Sequence, residues 1–209
     1  MIQLYNYPNT RGLRVTWMLE ELEAEYEFKL VPFGSNGFAS EEYLKVNPAG
    51  KVPTIRDGDL VLTESAAIVT YLGDKFPEKN LVPPAGSAAR AKYNQWCYFV
   101  LSELEQPLWT KGKHKFMLPP DKRVPAVIEI AEWEFQKALN ILSQGLDGNS
   151  YILGDRFSAA DILIGNTLSW ARTAKQPVEI QNVNDYADSV LGREALQRAR
   201  AREAASVNT

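Results

Sequence analysis

The spacing of hydrophobic residues divides the chain into two parts that differ in their predicted elements. In the first part, short β-prone runs predict strands over Ile2–Tyr5 and Phe28–Val31, with a helical pattern between them. Two further predicted strands, Thr54–Arg56 and Leu60–Thr63, flank Asp57-Gly58, a dipeptide typical of a two-residue hairpin turn. A strand, a helix and a strand in this order predict a parallel pair with a right-handed crossover.

Three helices are predicted to accompany these strands. The first begins near Thr10, a short one begins near Ser40 and ends at Asn47-Pro48, and the third covers Glu64–Lys75. A flexible loop is predicted over Gly34–Gly37. The resulting order, β-α-β followed by β-β-α, is that of a thioredoxin-like domain.

The second part of the chain contains no convincing strand and is predicted to be all-helical. A proline-rich segment, Phe76–Pro84, marks the change. We therefore predict an N-terminal thioredoxin-like domain over residues 1–76, a linker over 77–87 and a C-terminal helical-bundle domain over 88–209. The fold class is α/β plus all-α.

Three long helices are predicted in the second domain. They cover Ala88–Lys111, which Pro107 should kink or end, then Val124–Gln144, and finally Tyr186–Ala199, after which Ala201–Thr209 is expected to fray. The apolar residues expected on the first two helices are Trp96, Phe99, Val100, Leu104 and Leu108, and then Val127, Ile130, Ala131, Phe135, Leu139 and Leu142.

Charge and composition exclude several classes of function. A net charge of -3 gives no electrostatic reason to expect nucleic acid or an anionic membrane as a partner. No window approaches the ~18 apolar residues that a membrane span needs, and Met1–Pro8 is not expected to form a secretory signal. A single cysteine allows no intramolecular disulfide, so a reducing cytoplasm is the expected location.

Two potentially reactive residue types occur once each. Cys97 lies mid-helix beside Trp96 and Tyr98, and we interpret it as a buried packing residue rather than a reactive thiol. His114 is predicted to lie in a loop over His114–Asp121. It has no neighbouring cysteine or histidine with which to bind a metal, so no metal is expected.

The stretch from Asn47 to Ile68 combines features of a receptor for a small anionic peptide. Val52-Pro53 heads a strand, and a cis bond there would turn the Val52 backbone outward, where an extended peptide could pair with it. Glu64 and Ser65 fall where a helix begins, so unpaired N–H groups and the helix dipole favour a carboxylate. Lys51 adds a mobile cation at the same edge. The alternative is an ordinary hairpin and helix with incidental polar residues.

This segment resembles the glutathione-holding segment of the cytosolic glutathione transferases. The matching residues are Asn47-Pro48-Ala49-Gly50-Lys51-Val52-Pro53, Leu60, Glu64-Ser65 and Ile68. A second motif about a hundred residues downstream resembles the buried capping motif of the same family's helical domain. There, Ser158 and Asp161 form a capping box, and Phe157 and Ile162 stand where a hydrophobic staple would. The chain is thus identified as resembling a bacterial member of uncertain class.

The resemblance implies roles for the residues of the first segment. Lys51 would meet the glycine-end carboxylate of glutathione, Val52 would pair with its cysteinyl unit, and Pro53 would be cis. Glu64 would meet the ammonium of the γ-glutamyl end and Ser65 its carboxylate.

The side chain that activates the glutathione sulfur is expected in the loop after the first strand. The candidates are Tyr5, Asn6, Tyr7, Asn9, Thr10 and Arg11. The family uses tyrosine, serine or cysteine there, and because this loop has neither serine nor cysteine, Tyr5 or Tyr7 would make it a tyrosine-type enzyme. The pattern is more similar to the bacterial members, and we predict Thr10 as the sulfur-side donor, with Asn9 beside it and Arg11 as a cation. Thr10 as a plain helix cap is the alternative, and both roles can coexist.

The second substrate and the partner subunit are less well defined. Tyr98, Trp109 and Phe116 are candidates for an apolar second-substrate pocket, although aromatic residues at helical spacing more often belong to a core. The resemblance implies a homodimer, in which Glu103 or Glu105 of a partner subunit would complete the γ-glutamyl end. The alternative is that both acids belong to a solvated helix face.

The resemblance implies a glutathione transferase with glutathione as co-substrate. Its thiol would attack small electrophiles, a detoxification reaction. The alternatives are a glutathione-dependent disulfide reductase or peroxidase, and a non-catalytic interaction protein of the same fold.

Overall fold

The computed structural model describes residues 1–34 and 37–207 and divides into two compact units. Unit 1 comprises Met1–Val82 and the segment that begins at Gly192, and unit 2 comprises Pro83–Leu191. The elements, in chain order, are β1 (Ile2–Asn6), α1 (Leu13–Leu22), β2 (Tyr26–Leu30), α2 (Glu41–Val46), β3 (Thr54–Asp57), β4 (Leu60–Thr63), α3 (Ser65–Lys75), α4 (Ala88–Phe99), α5 (Glu105–Gly112), α6 (Ala126–Leu146), α7 (Ala159–Thr173), α8 (Gln181–Leu191) and α9 (Glu194–Ser206).

Unit 1 contains a four-stranded mixed sheet in the order β2-β1-β3-β4. β1 pairs with β2 in parallel and with β3 in antiparallel orientation, and β3 and β4 form the predicted hairpin. Leu4 and Ile55 at the centre of the sheet are fully buried, together with Trp17 of α1 and Ile68 of α3. The thioredoxin-like order predicted for this part of the chain is confirmed.

The helices of unit 1 begin where the local sequence supplies a start. Ser40 caps α2 by accepting a hydrogen bond from the N–H of Tyr43 at 3.1 Å. α1 begins at Leu13, three residues later than predicted, because the residues from Thr10 form a tighter turn in which the N–H of Leu13 bonds to the carbonyl of Thr10. The loop predicted over Gly34–Gly37 falls partly on residues 35 and 36, which lie outside the described residues.

The C-terminal segment differs from its prediction. A single helix Tyr186–Ala199 is wrong, because the chain breaks at Gly192 and forms α8 and α9 instead. The fraying predicted for Ala201–Thr209 is also wrong as far as Ser206, which ends α9, while residues 208 and 209 lie outside the described part. α9 packs against α1 and belongs to unit 1. The sequence, in contrast, predicts the residues of α9 as part of the C-terminal helical domain.

Unit 2 is helical throughout its described elements, and its first long helix is interrupted as Pro107 predicts. A π-helical turn, Val100–Leu104, separates α4 from α5. Proline has no N–H for the carbonyl four residues earlier, and the wider turn before Pro107 accommodates this missing bond. A second π turn, Lys113–Met117, carries the helix through His114, so the loop predicted over His114–Asp121 is wrong for its first four residues.

The apolar stripes of unit 2 agree with prediction apart from Ile130, which is exposed, and Phe99 and Val127, which are half-buried. The first helix buries Trp96, Val100, Leu104 and Leu108, and Cys97 is buried with them as expected. α6 runs two residues beyond its predicted end, and Ile130 is 55% exposed rather than part of the core.

The capping box predicted at the start of α7 is present. Asp161 is fully buried, and its Oδ2 accepts hydrogen bonds from the N–H and the hydroxyl of Ser158 at 2.8 and 2.7 Å. Its Oδ1 accepts from the N–H of Ile152 at 2.9 Å and the hydroxyl of Tyr186 at 2.8 Å. Burial raises the pKa of Asp161, and these four donors oppose the rise. The carboxyl group thus ties three segments of unit 2 together.

Candidate functional site

Three segments selected from the sequence meet at one end of the sheet. Tyr5 lies opposite Thr54 in the β1/β3 pair, and Thr54 lies opposite Thr63 in the β3/β4 pair. Because both pairs are antiparallel, the end of β1, the start of β3 and the end of β4 lie side by side. The loop after Asn6, the Val52-Pro53 dipeptide and the start of α3 therefore share one edge.

Two side chains hold the turn before β3. Tyr43 Oη and Asn47 Nδ2 both donate to the main-chain carbonyl of Lys51, at 2.6 and 2.7 Å. Both also contact Oγ1 of Thr54, at 2.9 and 3.1 Å. Tyr43, Asn47 and Thr54 are buried, so the backbone is fixed on both sides of Val52.

The main chain of Val52 is open to a ligand. The Val52-Pro53 peptide bond is cis, which confirms the expectation drawn from the resemblance. Within residues 1–34 and 37–207, no group forms a hydrogen bond with the N–H or the C=O of Val52. An extended peptide can pair with such backbone groups as an added strand. The exposed side chain of Lys51 directly precedes them.

The start of α3 is built around a buried serine. Ser65 is 5% exposed, and the fully buried Arg14 of α1 donates from Nη1 to its Oγ at 3.3 Å. Glu64, immediately before the helix, has a φ of 67°, in a region that non-glycine residues avoid. The side chain of Glu64 is exposed while its backbone begins the helix. This edge therefore presents a hydroxyl, a carboxylate and the N–H groups of a helix start.

The hydroxyl group of Thr10 is used within the loop before α1. It donates to the carbonyl of Tyr7 at 2.7 Å, lies 3.1 Å from Oδ1 of Asn6, and accepts from the N–H of Gly12 at 3.1 Å. The N-cap of α1 is Gly12 and no side chain caps that helix, so the contact of Thr10 with Gly12 belongs to the turn before it and the cap predicted as the alternative for Thr10 is wrong. A hydroxyl has one proton, and here it points back into the loop. The main-chain N–H of Thr10, in contrast, has no acceptor among the described residues.

The other residues proposed for the sulfur lie in the same loop. Asn9 has a φ of 60° and an exposed side chain, and its N–H donates to Oε2 of Glu203 at 3.4 Å. Arg11 is half-buried. Tyr5 donates its hydroxyl proton to Gln3 at 3.4 Å.

Tyr7 belongs to an aromatic cluster next to this loop. Its ring centroid lies 6.2 Å from those of both Phe33 and Phe38, and these two rings are 5.3 Å apart. Phe33 is 73% exposed. The cluster gives the loop an apolar side.

Sequence reasoning missed two residues that organise the site, Arg14 and Glu203. Both are charged and buried, a combination that is rare without partners. For Arg14 the available signal was a cation inside an otherwise apolar helix segment. For Glu203 it was the spacing with Leu196 and Ala199, three and four residues apart, which places all three on one helix face.

The candidates for the second substrate all lie in unit 2. Tyr98 and Phe116 are 69% and 65% exposed, and Trp109 is half-buried with Nζ of Lys113 at 6.0 Å from its ring centroid. None of the three is a fully buried core residue.

The two acids considered for the partner subunit differ in exposure. Glu103 is exposed in the π turn before α5, whereas Glu105 is buried with only 5% exposure.

The part of the chain that the structure describes contains no group of three histidine, cysteine, aspartate or glutamate residues able to hold a metal ion. Of the helices in that part, none combines the length and the hydropathy needed to cross a bilayer.

A thioredoxin-like four-stranded sheet with its helices, followed in the chain by a helical part, defines a class of two-part proteins with an α/β domain and an all-α domain. Comparison with family models agrees. Residues 1–74 match the model for the N-terminal domain of glutathione S-transferase, and residues 125–202 match that for its C-terminal domain. The chain belongs to the glutathione S-transferase family.

Similar proteins of known name come mainly from bacteria. Glutathione S-transferase GstB of Escherichia coli K12 is 34% identical over 171 residues, which cover 78% of this chain and 80% of the relative. The disulfide-bond oxidoreductase YfcG of the same organism is 28% identical over 207 residues, covering 95% and 94%. The structure of a sphingomonad glutathione S-transferase complexed with glutathione has a TM-score of 0.82 at 27% identity, covering 97% and 98%.

Proposed function

We propose that this chain binds glutathione at the shared edge of β1, β3 and α3 and activates its thiol for attack on small electrophiles. The open main chain of Val52 is the observation that carries the proposal, because it offers a donor and an acceptor to an extended tripeptide. The sphingomonad relative holds glutathione, which supports the choice of ligand.

Each end of the tripeptide would meet a group of opposite charge or complementary polarity. Lys51 would bind the glycine carboxylate, and Val52, next to cis Pro53, would pair with the cysteinyl unit. The γ-glutamyl carboxylate would accept from Ser65 and the start of α3, and its ammonium would meet Glu64. Arg14 fixes the Ser65 hydroxyl for this task.

The sulfur would then lie at the loop before α1. The main-chain N–H of Thr10 is a donor available for it, and Asn9 and Arg11 flank that group. Donors and positive charge favour the thiolate over the thiol, whose proton passes to solvent. The thiolate then forms a carbon–sulfur bond as the leaving group departs with its electron pair, and the protein contributes orientation and thiolate stabilisation.

Replacement of Ser65 by alanine tests the binding site. Loss of a hydrogen bond to a carboxylate should weaken glutathione about tenfold, measured by titration calorimetry. Ser102→Ala, at an exposed serine of unit 2, is the matched control and should bind like the unchanged chain. Equal affinity of Ser65→Ala and Ser102→Ala would contradict the assignment, and no binding by the unchanged chain would overturn the proposed function.

A disulfide reductase is the second candidate, and two observations favour it. The YfcG relative, which covers nearly the whole chain, is named a disulfide-bond oxidoreductase. In addition, the hydroxyl of Thr10 has its acceptors within its own surroundings, the carbonyl of Tyr7 and Oδ1 of Asn6, which leaves main-chain donors for the sulfur. Turnover of an aryl halide, a hydroperoxide and a mixed disulfide under identical conditions separates transferase, peroxidase and reductase. Binding of glutathione without any turnover would identify the non-catalytic alternative.

We also propose a cytoplasmic homodimer that acts on apolar electrophiles through Tyr98, Trp109 and Phe116, with Glu103 the accessible acid for the partner's site. The exposure of these residues supports the proposal. Light scattering of the purified chain measures the oligomeric state, and a monomer that retains full turnover would contradict the dimer.

A further inference from the structure

A buried carboxylate of the last helix reaches the loop on which the glutathione sulfur is proposed to rest. Glu203 of α9 is 3% exposed and carries four protein contacts. Its Oε1 accepts from Asn6 Nδ2 at 2.8 Å and from Thr16 Oγ1 at 2.9 Å, and its Oε2 accepts from the N–H of Asn9 at 3.4 Å. The hydroxyl of Ser206 bonds to its main-chain carbonyl at 2.7 Å.

The contacts of Glu203 continue to the proposed sulfur donors. Asn6, fully buried at the end of β1, donates to Glu203 through Nδ2. Its Oδ1 is one of the two acceptors for the hydroxyl of Thr10, at 3.1 Å, and the carbonyl of Tyr7 is the other. Asn9 is bound directly, and its left-handed conformation is one that asparagine adopts readily in turns. Glu203 therefore acts on the loop at two points, on either side of Pro8.

The three donors match an ionised carboxylate. Asn6 Nδ2 and the N–H of Asn9 can only donate, so each carboxylate oxygen must present a lone pair to one of them. The hydroxyl of Thr16 can donate to Oε1 or to the carbonyl of Gly12. A proton on Oε2 would make that oxygen a poorer acceptor and weaken its contact with the N–H of Asn9.

We propose that Glu203 is the positioning residue that fixes the Asn9–Arg11 segment at the mouth of α1, so that its donors stabilise the glutathione thiolate. This inference rests on the proposed function, since it assigns Glu203 a part in the same site. Glu203 acts through Asn6 and Asn9 and does not itself touch the sulfur.

The surroundings of Glu203 make its protonation state responsive near neutral pH. Burial raises the pKa of Glu203 to about 7, against the effect of its hydrogen bonds and of Arg200 on the same helix. On α1 the neighbour of Glu203 is Thr16, which does not titrate. On β2 it is Tyr26, whose pKa is raised chiefly by burial and, to a smaller extent, by the negative charge of Glu203. The contact with Asn9 should therefore weaken as the pH falls below about 7.

The first test compares the full chain with Glu203→Gln. The amide keeps one acceptor for Asn6 and Thr16 but places an NH₂ group against the N–H of Asn9. We expect glutathione affinity within about twofold of the unchanged chain, a bound-thiol pKa higher by about one unit, and kcat with an aryl halide lower by about tenfold at neutral pH. Ultraviolet absorbance of the thiolate against pH gives the thiol pKa.

The control is Glu194→Gln, which removes the same charge from an exposed position on the same helix and should change none of these values. A Glu203→Gln variant with unchanged thiol pKa and kcat would overturn the positioning role alone. Absence of glutathione binding by the unchanged chain would overturn the proposed function and this inference with it, so the two failures are distinguishable.

A second measurement needs neither a variant nor glutathione. In the unchanged protein, the amide proton resonance of Asn9 should move with pH and have a midpoint near 7, as Glu203 gains its proton. This result would support the contact even if Glu203→Gln did not fold. An Asn9 amide that stays constant across that range would overturn the proposal.

Discussion

At the scale of single residues, the site depends on close approaches that leave no room for a side chain. Gly12 precedes α1, and a Cβ built on it would lie 1.6 Å from Oδ1 of Asn6. Asn6 cannot move freely, because it bonds to Glu203 and contacts Thr10 and Thr16. A methyl group at Gly12 would therefore displace the residues that hold the sulfur loop.

Substitution of Gly12 by alanine should destabilise the protein by about 2 kcal/mol and lower turnover, because the clash involves a buried and bonded side chain. The measurement is urea unfolding together with kcat. Gly112→Ala on α5 is the control: its Cβ would meet nothing nearer than Phe116 at 3.7 Å, so the loss of glycine's backbone freedom should stabilise by about 0.5–1 kcal/mol. A Gly12→Ala variant as stable as Gly112→Ala would contradict the close approach.

The same scale shows where sequence reasoning ends. The residues from Asn47 to Ser65 were found because their order and spacing match a known motif. Arg14 and Glu203 were not, because their roles depend on contacts 51 and 197 residues away along the chain, with Ser65 and Asn6. Local patterns do not encode such distant partners.

At the scale of elements, the sequence places strands and helices to within a few residues where turns and caps mark their ends. β4 agrees at both ends, and α3 begins one residue later than predicted. The errors lie where composition misleads. The residues after Ala201 are short or charged and predict fraying, yet they continue α9 because Glu203 is bonded inside unit 1.

The capping box of α7 gives a prediction at this scale. Asp161→Ala would leave the donors of Ser158, Ile152 and Tyr186 buried without an acceptor, which should cost about 3 kcal/mol of unfolding free energy. Glutathione affinity should not change, because these partners all lie in unit 2. Thermal unfolding and calorimetry supply the two measurements.

A surface carboxylate of the same unit is the control for this variant. Asp188 is 69% exposed in its ion pair with Arg172, so Asp188→Ala should cost under about 1 kcal/mol. Unfolding of Asp161→Ala at the temperature of Asp188→Ala would refute the role assigned to the box.

At the scale of the whole molecule, the order of residues along the chain and the compact units do not coincide. The sequence predicts an α/β part followed by a helical part, and both are present with the predicted order of elements up to α7. The return of the chain to unit 1 after Leu191 is invisible to local patterns, since a helix that packs on α1 and one that packs on α8 have the same periodicity.

Truncation of the chain tests whether α9 is needed for the packing of unit 1. A chain that ends at Leu191 loses α9, and with it the bonds of Glu203 to Asn6 and Thr16 and the ion pair of Arg193 with Glu21, whose Nε and Oε1 are 2.6 Å apart. We expect hydrogen exchange to accelerate in β1 and α1 much more than in α4 to α8, because only unit 1 loses its own packing. A chain that ends at Ser206 keeps all of α9 and should exchange like the full protein. If β1 and α1 stayed fully protected after removal of α9, that helix would not be part of the core of unit 1. The proposal that Glu203 fixes the Asn9–Arg11 segment would then be contradicted as well.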